Sequence, residues 1–167
     1  MRFKALSLLA AVSLLAACST APENSGAAGG TGATAPTGGA TTGVRPGSQQ
    51  DLAATAGDRV FFGYDKSDIS PEARAILTKQ ADWLKRNANV TVTVEGHCDE
   101  RGTREYNLAL GERRATAVKN VLVALGIPAN RVSTISYGKE RPVDPGTGEE
   151  HWAKDRNAHS VLTSGMR

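Results

Sequence analysis

Aromatic side chains are scarce and unevenly distributed in this sequence. They make up 5% of the 167 residues, and seven of the eight lie after residue 58, with Phe3 as the exception. A segment without large apolar side chains cannot bury enough surface to fold, so the core is predicted to lie within residues 59–163. About a hundred residues suffice for one modest domain. The sequence therefore predicts a single folded domain, followed by a short tail at 164–167.

Cysteines and clusters of basic residues are also few. The two cysteines, Cys18 and Cys98, are 80 positions apart, which is not the pattern of a disulfide scaffold. The formal net charge is +3, and no run of Lys and Arg is longer than the pair Arg113 and Arg114. Chains that bind nucleic acid concentrate positive charge in one run or on one face. Nucleic acid is therefore not predicted as a partner.

The sequence has no apolar run long enough to cross a bilayer. Its longest apolar stretch, residues 5–17, has thirteen residues, whereas a spanning helix needs about 20. A basic start followed by a short apolar run is typical of a secretory signal peptide, predicted here at 1–17. The run ends in Leu-Ala-Ala-Cys, which resembles the bacterial lipobox and implies that Cys18 is lipidated. Because Ser19 follows the cysteine, the resemblance also implies an outer-membrane protein that faces the periplasm.

Residues 18–58 have the composition of a flexible tether. Nine of the 18 glycines fall between Gly26 and Gly57, and the segment has no aromatic residue. Such a segment cannot offset the entropy of ordering it, and as a random coil it would span roughly 35 Å. One short helical piece is predicted near its end, at 49–53.

The apolar pattern after residue 59 alternates between the periods of strands and helices. Strands are predicted where β-branched and aromatic residues concentrate, and helices where apolar residues recur every three to four positions. Ser70 and Pro71 are a typical helix start, with a capping hydroxyl before proline. The prediction is an α/β two-layer sandwich in the order β-α-β-α-β-β, with two helices on one face of a small mixed sheet. The strands are predicted at 60–64, 90–97, 132–138 and 158–162, the helices at 70–87 and 103–125, and a helical turn at 149–154.

The most informative polar cluster lies between the second predicted strand and the long helix. Asp99 falls in this turn, and Arg114 falls more than two turns into the helix, on the face that it shares with Asn107 and Leu110. A carboxylate near a guanidinium can hold a ligand that carries both an ammonium and a carboxylate. The same two groups can instead form an internal salt bridge, and the residue types alone leave both interpretations open.

Five stretches of the chain resemble the OmpA-like peptidoglycan-binding domain family. They occur in the order and at the separations of that family, and the resemblance covers residues 60 to about 162. The stretches are FFGYD at 61–65, VEGHCDERGT at 94–103, YN at 106–107, LGERRA at 110–115 and SYGKERP at 136–142.

The resemblance implies noncovalent binding of peptidoglycan at the meso-diaminopimelate residue of its stem peptide. Asp99 would pair with the free ammonium of that residue, and Arg114 would pair with its free carboxylate. The implied protein partners are TolB and other Tol proteins, which support outer-membrane integrity and constriction during cell division. The resemblance also assigns four further side chains to the same groove, namely Asp65, His97, Asn107 and Leu110.

Two other classes of function compete with this one. The triplet His97, Cys98 and Asp99 has the residue types of a cysteine nucleophile, and the alternative is a lipid-anchored periplasmic enzyme that acts on the cell wall. Neighbouring strand residues point to opposite faces, however, so Cys98 cannot easily form a hydrogen bond with His97. The chain is therefore not predicted to be an enzyme. The histidines and Cys98 lack the spacing of metal ligands, and neither a metal nor a cofactor is predicted.

The end of the predicted domain departs from the family pattern. The family usually has an Asn-Arg-Arg-type motif before its last strand, whereas this chain has Asp155, Arg156 and Asn157. His159 and Ser160 are polar where strand residues are usually apolar. We therefore expect a weak, poorly packed fourth strand.

Overall fold

The computed structural model describes residues 44–164, all of which lie in the compact unit Thr41–Arg167. The predicted signal peptide at 1–17, the lipidation site Cys18, the first part of the predicted tether and residues 165–167 lie outside the described residues. Among residues 44–164, no helix combines the length and the apolar character that crossing a bilayer requires.

The described part of the chain contains four strands, four helices and one 3₁₀ turn. The predicted alternation of strands and helices is confirmed, and helices are also present where a short helical piece and a helical turn are predicted, near residue 49 and at 149–154. In chain order the elements are α1 (Gln49–Thr55), β1 (Arg59–Phe61), α2 (Pro71–Arg86), β2 (Thr91–His97), α3 (Arg104–Ala124), the 3₁₀ turn (Ala129–Arg131), β3 (Val132–Gly138), α4 (Glu149–Asp155) and β4 (Asn157–Ser164).

Side-chain caps set the starts of the two long helices. The Ser70 hydroxyl accepts a hydrogen bond from the backbone N–H of Ala73, and Pro71 is the first residue of α2. The Thr103 hydroxyl accepts one from the backbone N–H of Tyr106 at the start of α3. Each cap satisfies an N–H group that the first helical turn leaves without a partner. The predicted start of α2 is confirmed, and α3 begins one residue after its predicted boundary.

The four strands form one mixed sheet in the order β1-β4-β2-β3. β4 runs antiparallel to both of its neighbours, while β2 and β3 are parallel and are joined by α3 as the crossover helix. α2 and α3 pack over one face of the sheet, which confirms the predicted α/β two-layer fold. The core between these layers includes Leu77, Leu84, Val94, Val118 and Leu122.

The expectation of a weak fourth strand is wrong, because β4 occupies an inner position in the sheet. Its polar side chains have partners inside the protein. The Ser160 hydroxyl donates to Oε1 of the buried Gln80 at 2.8 Å. The Asn157 amide donates to the carbonyl of Lys154 at 2.8 Å, and its oxygen accepts from Arg59 at 3.1 Å. A buried polar group costs little when it is hydrogen-bonded, so the strand tolerates these residues.

The folded region begins before residue 59, so the tether predicted over 18–58 extends too far. The short helix predicted near residue 49 is α1, and its Leu52 side chain is only 1% exposed within the core. The Gln49 amide bridges to β4, donating to the carbonyl of Ser160 and accepting from the N–H of Leu162. These contacts link residues more than a hundred positions apart, so the local composition does not reveal them.

Candidate functional site

An open pocket of about 160 Å³ lies where the loop after β1 meets the turn between β2 and α3. Five of the six ligand-binding residues predicted from the sequence line it, namely Asp65, Asp99, Asn107, Leu110 and Arg114. The turn and the first half of α3 provide most of this lining. The remaining lining residues are Tyr64, Cys98, Arg101, Gly102 and Tyr106.

Arg114 lies at the base of the pocket, with a side chain that is 0% exposed. Its guanidinium donates to three backbone carbonyls, those of Lys66 at 2.8 Å, His97 at 2.7 Å and Gly63 at 3.1 Å. It also contacts the Cys98 sulfur at 3.4 Å. In the described part of the chain these hydrogen-bond partners are all neutral, and burial lowers the pKa of Arg114. The pocket therefore has a buried positive charge at its base, and no carboxylate among residues 44–164 neutralises it by direct contact.

Two glycines allow Arg114 to reach this position. α3 crosses β2 where Gly111 lies against Gly96, and a Cβ atom on Gly96 would overlap the carbonyl of Gly111. A Cβ on Gly111 would likewise overlap the Ser136 hydroxyl. Glycine permits this close approach of backbones because it has no side chain. The guanidinium of Arg114, less than one turn later in α3, is thereby held within reach of the carbonyl at the end of β2.

Asp99 does form internal salt bridges, but with Arg101 and Arg156 rather than with Arg114. The shortest contacts join its Oδ2 to Arg101 at 2.6 Å and to Arg156 at 3.4 Å. Burial raises the pKa of Asp99, yet the hydrogen bonds from Arg101 outweigh burial and the net pKa lies below its ordinary value. The carboxylate is therefore ionised at neutral pH and is already paired in this structure.

The other predicted groove residues have distinct roles. The buried Asn107 amide donates to the carbonyls of Arg101 and Thr103, which holds the turn against the start of α3. Tyr106 donates its hydroxyl to Asp65, and this hydrogen bond raises the pKa of the tyrosine. Leu110 is buried and provides an apolar wall. Asp65 has a positive φ of 56°, which is uncommon for a residue other than glycine, and it lines the pocket.

The side chain of His97 does not line the pocket. Its ring lies 5.7 Å from that of Tyr137, and its Nε2 lies 3.7 Å from the Glu95 carboxylate. Burial lowers the pKa of this imidazole, although Glu95 acts in the opposite sense. Only the His97 carbonyl reaches the site, where it accepts a hydrogen bond from Arg114. β2 ends at His97, so the alternation of strand side chains does not extend from His97 to Asp99.

Cys98 is a buried thiol and not an activated nucleophile. Its sulfur contacts the carbonyl of Asn107 and the guanidinium of Arg114, each at 3.4 Å. Burial raises the pKa of the thiol to about 11, so the thiolate that a nucleophile requires is scarce at neutral pH. Among residues 44–164, no three His, Cys, Asp or Glu side chains are grouped so that they could hold a metal ion.

Sequence reasoning missed four residues that shape the site. Arg101 and Tyr106 line the pocket, and Arg156 and Trp152 reach it from the segment at the end of the chain. Arg101 lies in the same turn as Asp99, so its position in the sequence could have identified it as a site residue. Arg156 is 57 positions away from the carboxylate it contacts, so only its place in the motif before the last strand could have indicated it.

Comparisons with known proteins agree with this fold. The OmpA family model matches residues 61–156. A peptidoglycan-associated lipoprotein of Brucella melitensis is 51% identical over 122 residues, which cover 73% of each chain. The crystal structure of a peptidoglycan-associated lipoprotein from Burkholderia pseudomallei superposes with a TM-score of 0.62 and 39% identity, over 64% of this chain and 90% of that one. The C-terminal domain of Helicobacter pylori MotB, with a TM-score of 0.61 and 22% identity over 65% of this chain and 86% of its own, shares the fold.

Proposed function

Because the chain belongs to the OmpA family, and within it to the peptidoglycan-associated lipoproteins, we propose that it is an outer-membrane lipoprotein whose domain binds peptidoglycan noncovalently. The activity is binding without catalysis. The relatives are named for an association with peptidoglycan and not for a reaction. The high pKa of Cys98 also gives no support to a cysteine nucleophile.

The ligand group is the meso-diaminopimelate residue of the stem peptide. The observation that carries this assignment is the buried Arg114 guanidinium, whose hydrogen-bond partners are neutral carbonyls and a sulfur atom. A buried cation is costly without a counter-charge, so a ligand carboxylate at the base of the pocket is favoured. Asp99 lines the same pocket and provides the negative charge for the ligand ammonium. The free end of diaminopimelate carries an ammonium and a carboxylate on one carbon, so one ligand group can pair with both Asp99 and Arg114.

A titration with two stem peptides tests this assignment. The full chain is expected to bind a peptide that contains meso-diaminopimelate more tightly than the lysine-containing peptide, by about 2 kcal/mol, because lysine lacks the second carboxylate. Asp99→Asn is expected to weaken binding of the first peptide about tenfold or more, since it removes the charge that pairs with the ammonium. Calorimetry provides both comparisons.

The matched control is Asp68→Asn, which changes an exposed carboxylate outside the pocket lining. It should bind like the parent chain. Equal affinity for the two peptides would refute the role given to Arg114. Release of soluble fragments from purified peptidoglycan during incubation would instead favour the alternative, a lipid-anchored enzyme that acts on the cell wall.

The membrane anchor is the lipidated Cys18, which follows a signal peptide at 1–17, and a tether separates the anchor from the domain. Bacterial lipoproteins of the Gram-negative pattern carry three acyl chains on this cysteine. Three chains hold a protein in a bilayer far more firmly than one, because each buried methylene contributes about 0.8 kcal/mol. The full chain should fractionate with outer membranes, whereas Cys18→Ala should be lost from that fraction. Outer-membrane retention of the variant would disprove the anchor.

TolB and other Tol proteins are the proposed partners, in the Tol–Pal system that maintains the outer membrane and its constriction during division. The support for these partners is family membership. Retention of purified TolB on the immobilised full chain tests the assignment, and failure to retain it would refute it.

A further inference from the structure

The Asp99 carboxylate has no acceptor position left for a ligand. A carboxylate offers about four hydrogen-bond sites on its two oxygens. Oδ1 accepts from the backbone N–H and from Nε of Arg101, each at 3.1 Å. Oδ2 accepts from Nη2 of Arg101 at 2.6 Å and from Nη1 of Arg156 at 3.4 Å. A ligand ammonium that reaches Asp99 must therefore replace one of these donors.

The side chain of Arg101 is the donor that can leave. It is 30% exposed, and its guanidinium lies between the rings of Tyr64 and Trp152, at 4.0 and 4.2 Å from their centres. Arg156, by contrast, is buried and held by the carbonyl of Phe62 at 3.1 Å and by Glu149 at 2.6 Å. Releasing Arg156 would leave a buried charge without its partners, whereas Arg101 can move its charge into solvent.

The surroundings of Arg101 allow such a movement without refolding of the turn. Its carbonyl accepts a hydrogen bond from the buried Asn107 amide at 2.8 Å, so the backbone is anchored independently of the side chain. A second carboxylate, that of Glu149, lies 3.8 Å from its Nη2 and is largely exposed. The guanidinium can therefore exchange Asp99 for Glu149 while it stays beside the two aromatic rings.

We propose that Arg101 is an internal competitor for Asp99, a positioning residue that occupies the carboxylate in the free protein and is displaced by the ligand's ammonium. This inference rests on the proposed binding of a zwitterionic stem-peptide group in the same pocket. The affinity of the site is then reduced by the fraction of molecules in which Arg101 covers Asp99. Arg101 thereby keeps Asp99 neutralised whenever the pocket is empty.

The test is a calorimetric titration of the full chain and of Arg101→Gln with the meso-diaminopimelate stem peptide. Removing the competitor should tighten binding by about three- to tenfold. The gain should depend on Asp99, so Arg101→Gln added to Asp99→Asn should give no improvement over Asp99→Asn alone. A merely structural role for Arg101 would not produce this dependence.

Arg104→Gln is the matched control, because it removes the same charge from a nearby exposed arginine that pairs with Glu140 and does not line the pocket. It should leave affinity unchanged. If the parent chain binds the peptide and Arg101→Gln binds equally or more weakly, Arg101 is no competitor and only this inference fails. If neither chain binds, the proposed function itself fails and takes this inference with it.

Discussion

Replacing Arg114 with alanine should abolish retention on purified peptidoglycan and lower the free energy of unfolding by about 3 kcal/mol or more. Three buried carbonyls, those of Gly63, Lys66 and His97, would lose their donor at once. This side chain links the loop after β1 to the end of β2, so both should loosen. Denaturant unfolding followed by circular dichroism measures the stability, and sedimentation with peptidoglycan measures the binding.

Arg114→Lys separates binding from folding. Lysine keeps the charge but cannot reproduce the planar fork that reaches three carbonyls and still pairs with a carboxylate. This variant should fold and bind about tenfold more weakly. Arg74→Ala, which removes an exposed arginine of α2, should change neither property. Binding by Arg114→Lys at the level of the parent chain would refute the assignment of the ligand carboxylate to the guanidinium.

Gly96→Ala should destabilise the domain by about 3 kcal/mol, because the added methyl group overlaps the carbonyl of Gly111. The overlap involves backbone on both sides, so a side-chain rotation cannot relieve it. α3 would have to move away from β2 and would carry Arg114 with it. We therefore expect weaker peptidoglycan retention as well as a lower midpoint of thermal unfolding.

Gly63→Ala provides the comparison for this steric argument. A Cβ there would meet only the flexible side chain of Lys66, at 3.3 Å, and the backbone of Gly63 is not in the left-handed region. Its effect on stability should be small, within about 0.5 kcal/mol. If the two alanine variants are equally stable, the close crossing of α3 and β2 is not what makes Gly96 necessary.

The parts of the fold that depend on neighbours in the chain were predictable. The cap at Ser70, the proline at 71 and the apolar period that follows define α2 with interactions inside one helical turn. The fold class follows from alternating strand and helix periods. The role of β4 was not predictable in this way, because its polar side chains are satisfied by distant groups such as Gln80 and Arg59.

In the candidate site, too, the residues that are close in sequence were predictable and the contacts between distant residues were not. Five predicted lining residues lie in four of the short stretches that resemble the family, and the structure brings them together in one pocket. His97 is excluded because its ring lies beside Tyr137 and Glu95 and not among the residues that line the pocket. The pairing of Asp99 with Arg101 and Arg156 instead of Arg114 depends on where α4 and β4 return to the sheet.

The sequence by itself determined the fold class, the positions of the long helices and the two charged residues at the centre of the pocket. Propensity, capping and short motifs act over a few residues, so these features are encoded locally. Only the tertiary structure decided the charge balance: Arg114 pairs with neutral carbonyls, while Asp99 is covered by Arg101 and Arg156. Electrostatic pairing depends on distance through space, which is why the salt bridge that the residue types left open between Asp99 and Arg114 is replaced by two others.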